Sequence, residues 1–224
     1  MLGSRGPLHG IPILVKDNIV TQDRLDVSAG SYAVLGVKPA NESSTINKLR
    51  DAGIIILGKT NLLEWANFRG LEISSGWSPR GGQTMGTYYP GSSPAGSSSG
   101  SAVATSLGLC TAAIGTEVRA TIAYFSDRGL TYSKTWGSIL GPAEINNVIG
   151  FKPSRGLIGT DGTIPISSRQ DVIGTLTRTV RDAAYLLSKM AGRSDQDVAT
   201  WIFHYPQCLI IPLFVKEKIL MASQ

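Results

Sequence analysis

Three short stretches hold the residues best suited to chemistry: ILVKDN around Lys16, SPAGSSSGS around Ser97 and WGSILGPA around Ser138. A serine hydroxyl is a poor nucleophile until a neighbouring base takes its proton, and a lysine is such a base only when neutral. Burial at the end of an apolar strand such as Ile11–Val15 lowers a lysine's pKa. Taken singly the stretches are ordinary, because a lysine after a strand is usually a solvated turn residue and Ser-rich segments often serve as linkers. Only their joint occurrence raises them. A fourth stretch, Gly53 with Gly58, Lys59 and Thr60, has the spacing of a phosphate-binding loop. Between its glycines lie Ile54, Ile55, Ile56 and Leu57, which favour a strand over a loop wrapped on phosphates. A helix cap, a buried strand and a turn lysine account for it without a nucleotide.

The elements that must position these residues follow from pattern. Ile11–Val15, interrupted by Pro12, reads as an edge strand that delivers Lys16, Asp17 and Asn18 to a polar turn. Ile46, Leu49 and Ala52 have helical spacing from Ser43 to Ala52, with Ser43 or Ser44 as N-cap and Gly53 at the C-terminal cap. Ile54–Leu57 reads as a buried parallel strand, and a short helix should follow through Glu64 and Trp65. Residues 74–101, crowded with turn formers, read as one long loop. Ala102–Ala113 then reads as a buried small-residue helix, and Val148–Phe151 as a short strand. Thr179–Ala191 reads as a helix with Val180, Ala183, Ala184, Leu187 and Met190 on one stripe. The rhythm is α/β.

Composition sets the outer limits. With 224 residues, 42% hydrophobic and 17% charged, the chain is expected to build a globular core rather than remain disordered. The formal charge of +5 comes from scattered basic residues with no aromatic interleaving, so nucleic acid is not an expected partner. Cys110 and Cys208 are too few for a disulfide framework or a four-ligand metal site, and they suit a reducing compartment. His9 and His204 are isolated, so neither receives a role and no metal or other cofactor is expected. No signal core and no membrane-length apolar run is visible, which points to the cytoplasm through absence of signals alone. The pattern leaves oligomeric state open.

In order along the chain, GPLHGIPILVKDN, GKTNLLEWANFRG, SGWSPRGGQT, GSSSGSAVA, NNVIGFKPSRGLI and PISSRQDVIGTLTRTVRDAA resemble the amidase signature family from about Gly6 to Thr200. EWANFRG, SGWSPRGGQT and SRQD are most similar to the amidases of plants and fungi. The glutamine-dependent amidotransferase A subunit is a more distant likeness. The resemblance implies an α/β domain, residues 1–200, with a mixed β-sheet flanked by helices and incomplete relative to the family. It also implies a Ser-cisSer-Lys triad, with Ser138 as nucleophile, Ser97 as bridging serine and Lys16 as base. Ser98 is then a hydrogen-bonding support, Thr135 fills the family's threonine position, and Trp136 and Gly137 supply the oxyanion-hole amides. The implied reaction is hydrolysis of a carboxamide C–N bond, of the non-peptide class, through an acyl-enzyme and without a cofactor. The implied partner is a small-molecule amide, and an A-subunit-like glutaminase and an inactive amidase-like fragment are the alternatives.

Two departures from the family pattern stand out. Family members run from GTE or GTD almost directly into GSI, whereas here GTE ends at Glu117 and GSI begins at Gly137. Removing the seventeen residues Val118–Lys134 joins GTE to TWGSIL and reduces the Ser97-to-Ser138 separation from 41 positions to 24. Valine codons begin with GT and one lysine codon ends in AG, so the block has the borders of a retained intron; a genuine surface insertion is the alternative. A block beside the oxyanion hole is expected to depress activity, since a displacement of about 1 Å there costs roughly a hundredfold in rate. Residues 201–224 match no family text and read as an unrelated tail, with read-through of non-coding sequence and a genuine divergent terminus as the alternatives and disorder open. Further family segments are expected before and after the matched region.

Overall fold

The computed structural model of the protein describes residues 5–68, 73–118, 121–126, 129–134 and 137–202. Its centre is a five-stranded mixed sheet in the order β2-β1-β5-β9-β8. Here β1 is Pro12–Lys16, β2 Ile55–Thr60, β5 Ala112–Val118, β8 Ile149–Phe151 and β9 Asp171–Thr177. β1 runs parallel to both β2 and β5, and β9 is antiparallel to β5 and β8. Two small hairpins stand apart from it: β3 with β4 (Trp77–Ser78, Gly82–Gln83) and β6 with β7 (Thr121–Ser126, Gly129–Lys134). The helices are α1 Ser44–Asp51, α2 Ser99–Ser106, α3 Leu140–Ile145 and α4 Val180–Met190. The expected mixed sheet flanked by helices is what the chain forms.

The two-residue period of the strands sorts their side chains into two cores. Ile13 and Val15 of β1, Ile114 of β5 and Ile173 of β9 join Ile46 and Leu49 of α1 and Leu186, Leu187 and Met190 of α4 in one cluster. On the other face, Ala102 of α2, Ile139, Ala143 of α3 and Leu176 of β9 form a second cluster, while Ala104, Cys110 and Ala113 form a third with Leu14 against it. Helices therefore cover both faces. By the same alternation Lys16 follows Leu14 onto the α2 face, and Glu117 follows Ala113 onto the α2 and α3 face.

Several expectations change in the folded chain. β1 is an interior strand, not an edge; Pro12 is tolerated because it is the first strand residue. The edge is β2, where Ile55 and Leu57 are 50% and 53% exposed instead of buried. The GxxxxGKT stretch runs into β2, and Lys59 Nζ donates to the carbonyl of Ile19. Burial lowers the Lys59 pKa to about 8 against the opposing charges of Asp17, Asp23 and Glu42. The segment 74–101 holds the β3/β4 hairpin and the start of α2, and Ala112 and Ala113 belong to β5 rather than to a longer helix. Small alternating residues fit a helix and a buried strand equally, and pairing with β1 and β9 decides in favour of the strand. Glu64–Asn67 forms only a 3-10 turn, interrupted by positive φ at Trp65 and Ala66. On α4, Val180 is exposed and Leu186 takes its place in the core.

α1 shows how a distant residue completes a local element. Ser43 occupies its N-cap position but makes no side-chain capping bond. Asp161 instead accepts from Ser44 N at 2.8 Å and Ser44 Oγ at 2.6 Å, and also from Ser194 Oγ at 2.8 Å. Asp161→Ala is expected to destabilise the chain by about 2 kcal/mol through lost capping and orphaned donors. Urea denaturation checks this; a change below about 0.5 kcal/mol would remove Asp161 as the cap.

Candidate active site

The parallel strands place their C-terminal ends together, where ligands commonly bind in α/β sheets. Lys16 ends β1, Thr116 and Glu117 lie near the end of β5, and the segment entering α2 carries Ser97 and Ser98 across that edge. This approach requires small residues. A Cβ at Gly100 would lie 2.6 Å from the backbone oxygen of Asn61, and one at Gly115 would lie 2.8 Å from Ser98 Oγ.

Lys16 is wholly buried, yet its Nζ donates to Ser97 Oγ at 2.7 Å and to the Thr116 carbonyl at 3.1 Å. Burial pulls its pKa down to about 7, with the negative charges of Glu117 and then Asp171 opposing the fall. Ser97 is itself buried, and the Gly96–Ser97 peptide bond is cis. Ser98, fully buried, donates through its amide to the Ser138 carbonyl at 3.0 Å and through its hydroxyl to the Thr116 carbonyl at 3.3 Å. The structure thus brings Lys16, Ser97, Ser98 and the Ser138 backbone to one place. Ser138 and Gly137 are half-buried there. Thr135 and Trp136, expected beside them, lie outside the described residues.

Two carboxylates at this edge had no assigned role in the sequence. Asp17 accepts from Ser28 N at 3.2 Å, Ser28 Oγ at 2.5 Å and Gly30 N at 3.1 Å, with Arg80 NH1 at 3.7 Å. Glu117 Oε2 accepts from Ile139 N at 2.8 Å and Leu140 N at 3.1 Å. Both sit inside recognisable motifs, KDN and GTE. An acid entering a buried segment was the available signal, since such a group must find donors.

The block Val118–Lys134 contains the β6/β7 hairpin, paired from Thr121 with Lys134 to Ser126 with Gly129. That ladder brings the two ends of the block close together. At the other end of the domain, Trp201 Nε1 donates to the Ser194 carbonyl at 3.0 Å, and the Arg193 guanidinium lies 4.1 Å from its ring centroid. The last described element is the 3-10 turn Val198–Ile202; residues 203–224 lie outside the described residues. Among the described residues, no helix is long and apolar enough to cross a membrane.

A buried lysine bonded to a serine, at the end of a mixed α/β sheet, defines a serine–lysine site. The chain belongs to the Amidase family, whose sequence model matches residues 2–123 and 132–206; the break in the match falls within the inserted block. A fungal relative from Arthroderma benhamiae, named "Putative amidase", is 45% identical over 86% of this chain and 30% of its own length. The glutamyl-tRNA(Gln) amidotransferase A subunit of Lacticaseibacillus paracasei is 38% identical over 87% of this chain and 35% of its own. The peptide amidase of Stenotrophomonas maltophilia superposes with a TM-score of 0.78 at 50% identity, covering 89% of this chain and 37% of that one. The chain spans about a third of the length of the curated relatives it matches.

Proposed function

We propose that this chain carries the acylation site of an amide hydrolase, with Ser138 as nucleophile, Ser97 as relay and Lys16 as base. The observation that supports this most directly is the 2.7 Å contact between Ser97 Oγ and a wholly buried Lys16. A lysine with a pKa near 7 is partly neutral at neutral pH, and the same contact then runs with the Ser97 hydroxyl donating to Nζ. Ser97 passes its proton to Lys16 as it receives the Ser138 proton, and Ser138 Oγ attacks the carboxamide carbon. The carbonyl π electrons move to oxygen, and the Gly137 amide is assigned to the developing oxyanion. Collapse of this intermediate breaks the C–N bond, and the departing nitrogen takes the proton back through Ser97. Water then cleaves the acyl-serine ester by the same relay and regenerates Ser138.

The substrate is a small carboxamide. A peptide amidase is among the similar structures, so peptide-derived amides fall within this class alongside non-peptide ones. Hydrolysis, with water as final acceptor, is favoured over an amidotransferase role by the 45% identity to the fungal amidase, against 38% to the amidotransferase chain. The rival reading, an amidase-like fragment without a working site, draws on the inserted block and the short span of the chain.

A fluorophosphonate probe tests the assignment. The chain is expected to label at a single site, with labelling abolished in Ser138→Ala. Removal of Val118–Lys134 is expected to accelerate labelling by about a hundredfold, since the block enters beside the oxyanion-hole amides. If Ser138→Ala labels like the parent, the nucleophile assignment is wrong. Absence of labelling with and without the block would establish the inactive fragment.

A further inference from the structure

We propose that Glu117 is a positioning residue of this site: its carboxylate clasps the chain on the far side of the inserted block, holding the Ser138 turn against β5 and setting a negative charge beside Lys16. The proposal rests on the serine–lysine reading above for its link to catalysis, while its geometry stands by itself. Glu117 is 4% exposed, and its Oε2 receives the amides of Ile139 at 2.8 Å and Leu140 at 3.1 Å, the two that directly follow Ser138. Gly137 is shaped to the same carboxylate, because a Cβ there would overlap Glu117 Oε1. The Gly141 amide closes the turn onto the Gly137 carbonyl at 2.9 Å, and the Ser98 amide holds the Ser138 carbonyl at 3.0 Å. The turn is therefore gripped from two sides. One grip comes from the segment that carries Ser97, the other from the strand whose Thr116 carbonyl accepts from Lys16.

The clasp also addresses the inserted block. Glu117 is the last residue before it, and the carboxylate reaches amides 22 and 23 positions onward. The β6/β7 ladder lies between these two points and is satisfied by its own pairing. The side-chain bond across the base of the block ties the residues that follow Ser138 to β5, while the oxyanion-hole residues on the block's side of Ser138 are not part of that bond. The charge has a second effect. Of the groups acting on Lys16, Glu117 and Asp171 both favour its protonated form, and Glu117 does so more strongly.

Hydrogen exchange and labelling separate the two roles in the full chain. In Glu117→Ala, the amides of Ile139 and Leu140 should exchange at least about tenfold faster while β1 and β5 keep their protection. Unchanged exchange at 139 and 140 would overturn the clasp, with or without activity. Glu117→Gln retains an acceptor oxygen and removes the charge. It should keep fluorophosphonate labelling within about tenfold of the parent, with the midpoint of the rate–pH profile moved to lower pH. A purely structural brace would leave that midpoint in place, and an unmoved midpoint overturns the electrostatic half of the proposal. Ser138→Ala is the control: if it labels like the parent, the serine–lysine reading fails, and the exchange result still decides whether Glu117 holds the turn.

Discussion

Lys16→Met is expected to make the chain more stable and, on the proposed serine–lysine reading, to slow fluorophosphonate labelling of Ser138. The folded-state pKa of Lys16, about 7, lies below its ordinary value of 10.5, so the unfolded chain binds more protons between these values. Stability of the parent therefore rises as pH increases from 7 toward 10.5, and below pH 7 the full cost of burying the ammonium is present. That cost is on the order of 5 kcal/mol from the size of the shift. Methionine fills similar space without a charge but forfeits the bonds to Ser97 and to the Thr116 carbonyl. Thr116 O retains the Ser98 hydroxyl. The net gain at pH 6 should be about 2–3 kcal/mol, reversing to a net loss of about 2 kcal/mol above about pH 10, where the burial cost is gone and the lost bonds remain. Labelling of Ser138 should fall by about 10²–10⁴-fold, the range a positioned base contributes. Urea denaturation at pH 6 and pH 10 reads the first effect. A variant less stable than the parent at pH 6 would show that the bonds to Lys16 outweigh its burial.

Asp17→Ala should act in the opposite sense, destabilising the chain by about 3–4 kcal/mol. The residue is 5% exposed and holds the Ser28–Gly30 segment through three short contacts, with Arg80 beside it. Truncation leaves the Ser28 amide and hydroxyl without their acceptor in a buried setting, while the Gly30 amide keeps only Ser28 Oγ at 3.2 Å, and it removes the anion facing a half-buried guanidinium. Asp17 directly follows Lys16, and its own amide donates to the Thr60 carbonyl at 3.2 Å. Loosening this turn therefore also releases the lysine, and labelling should fall together with the denaturation midpoint. Asp17→Asn keeps an acceptor oxygen and should recover more than half of the loss. Stability within about 0.5 kcal/mol of the parent for Asp17→Ala would show that the Ser28–Gly30 segment is held by other contacts.

Together the two substitutions describe how the site is sustained. Asp17 and its partners supply stability immediately next to a residue that consumes it. Lys16 remains buried at a cost because its place on the α2 face directs Nζ to Ser97. On the serine–lysine reading, a destabilising group compensated by rigid neighbours is the expected trade between stability and activity.

Much of this protein was legible along the chain. Lys16, Ser97 and Ser138 were singled out from motif text, and the fold brings Lys16, Ser97 and the Ser138 backbone together; α1 and α4 were readable because a 3.6-residue apolar stripe is a local property. The end of β1 was also readable, since Ile13 and Val15 flank a run that must be buried before the polar KDN turn. The rest depended on contacts between distant segments. The order of strands made β1 interior and β2 an edge, and a single strand cannot encode its neighbours. Ala112 and Ala113 joined β5 because β1 and β9 offered ladders on both sides, a long-range pairing that outweighs weak local preference. Asp161 capped α1 from 117 positions away, and Glu117 reached across the inserted block to Ile139 and Leu140. Those carboxylates carry no periodic signature. Their roles follow from which buried amides needed an acceptor, and only the folded chain brings donor and acceptor together.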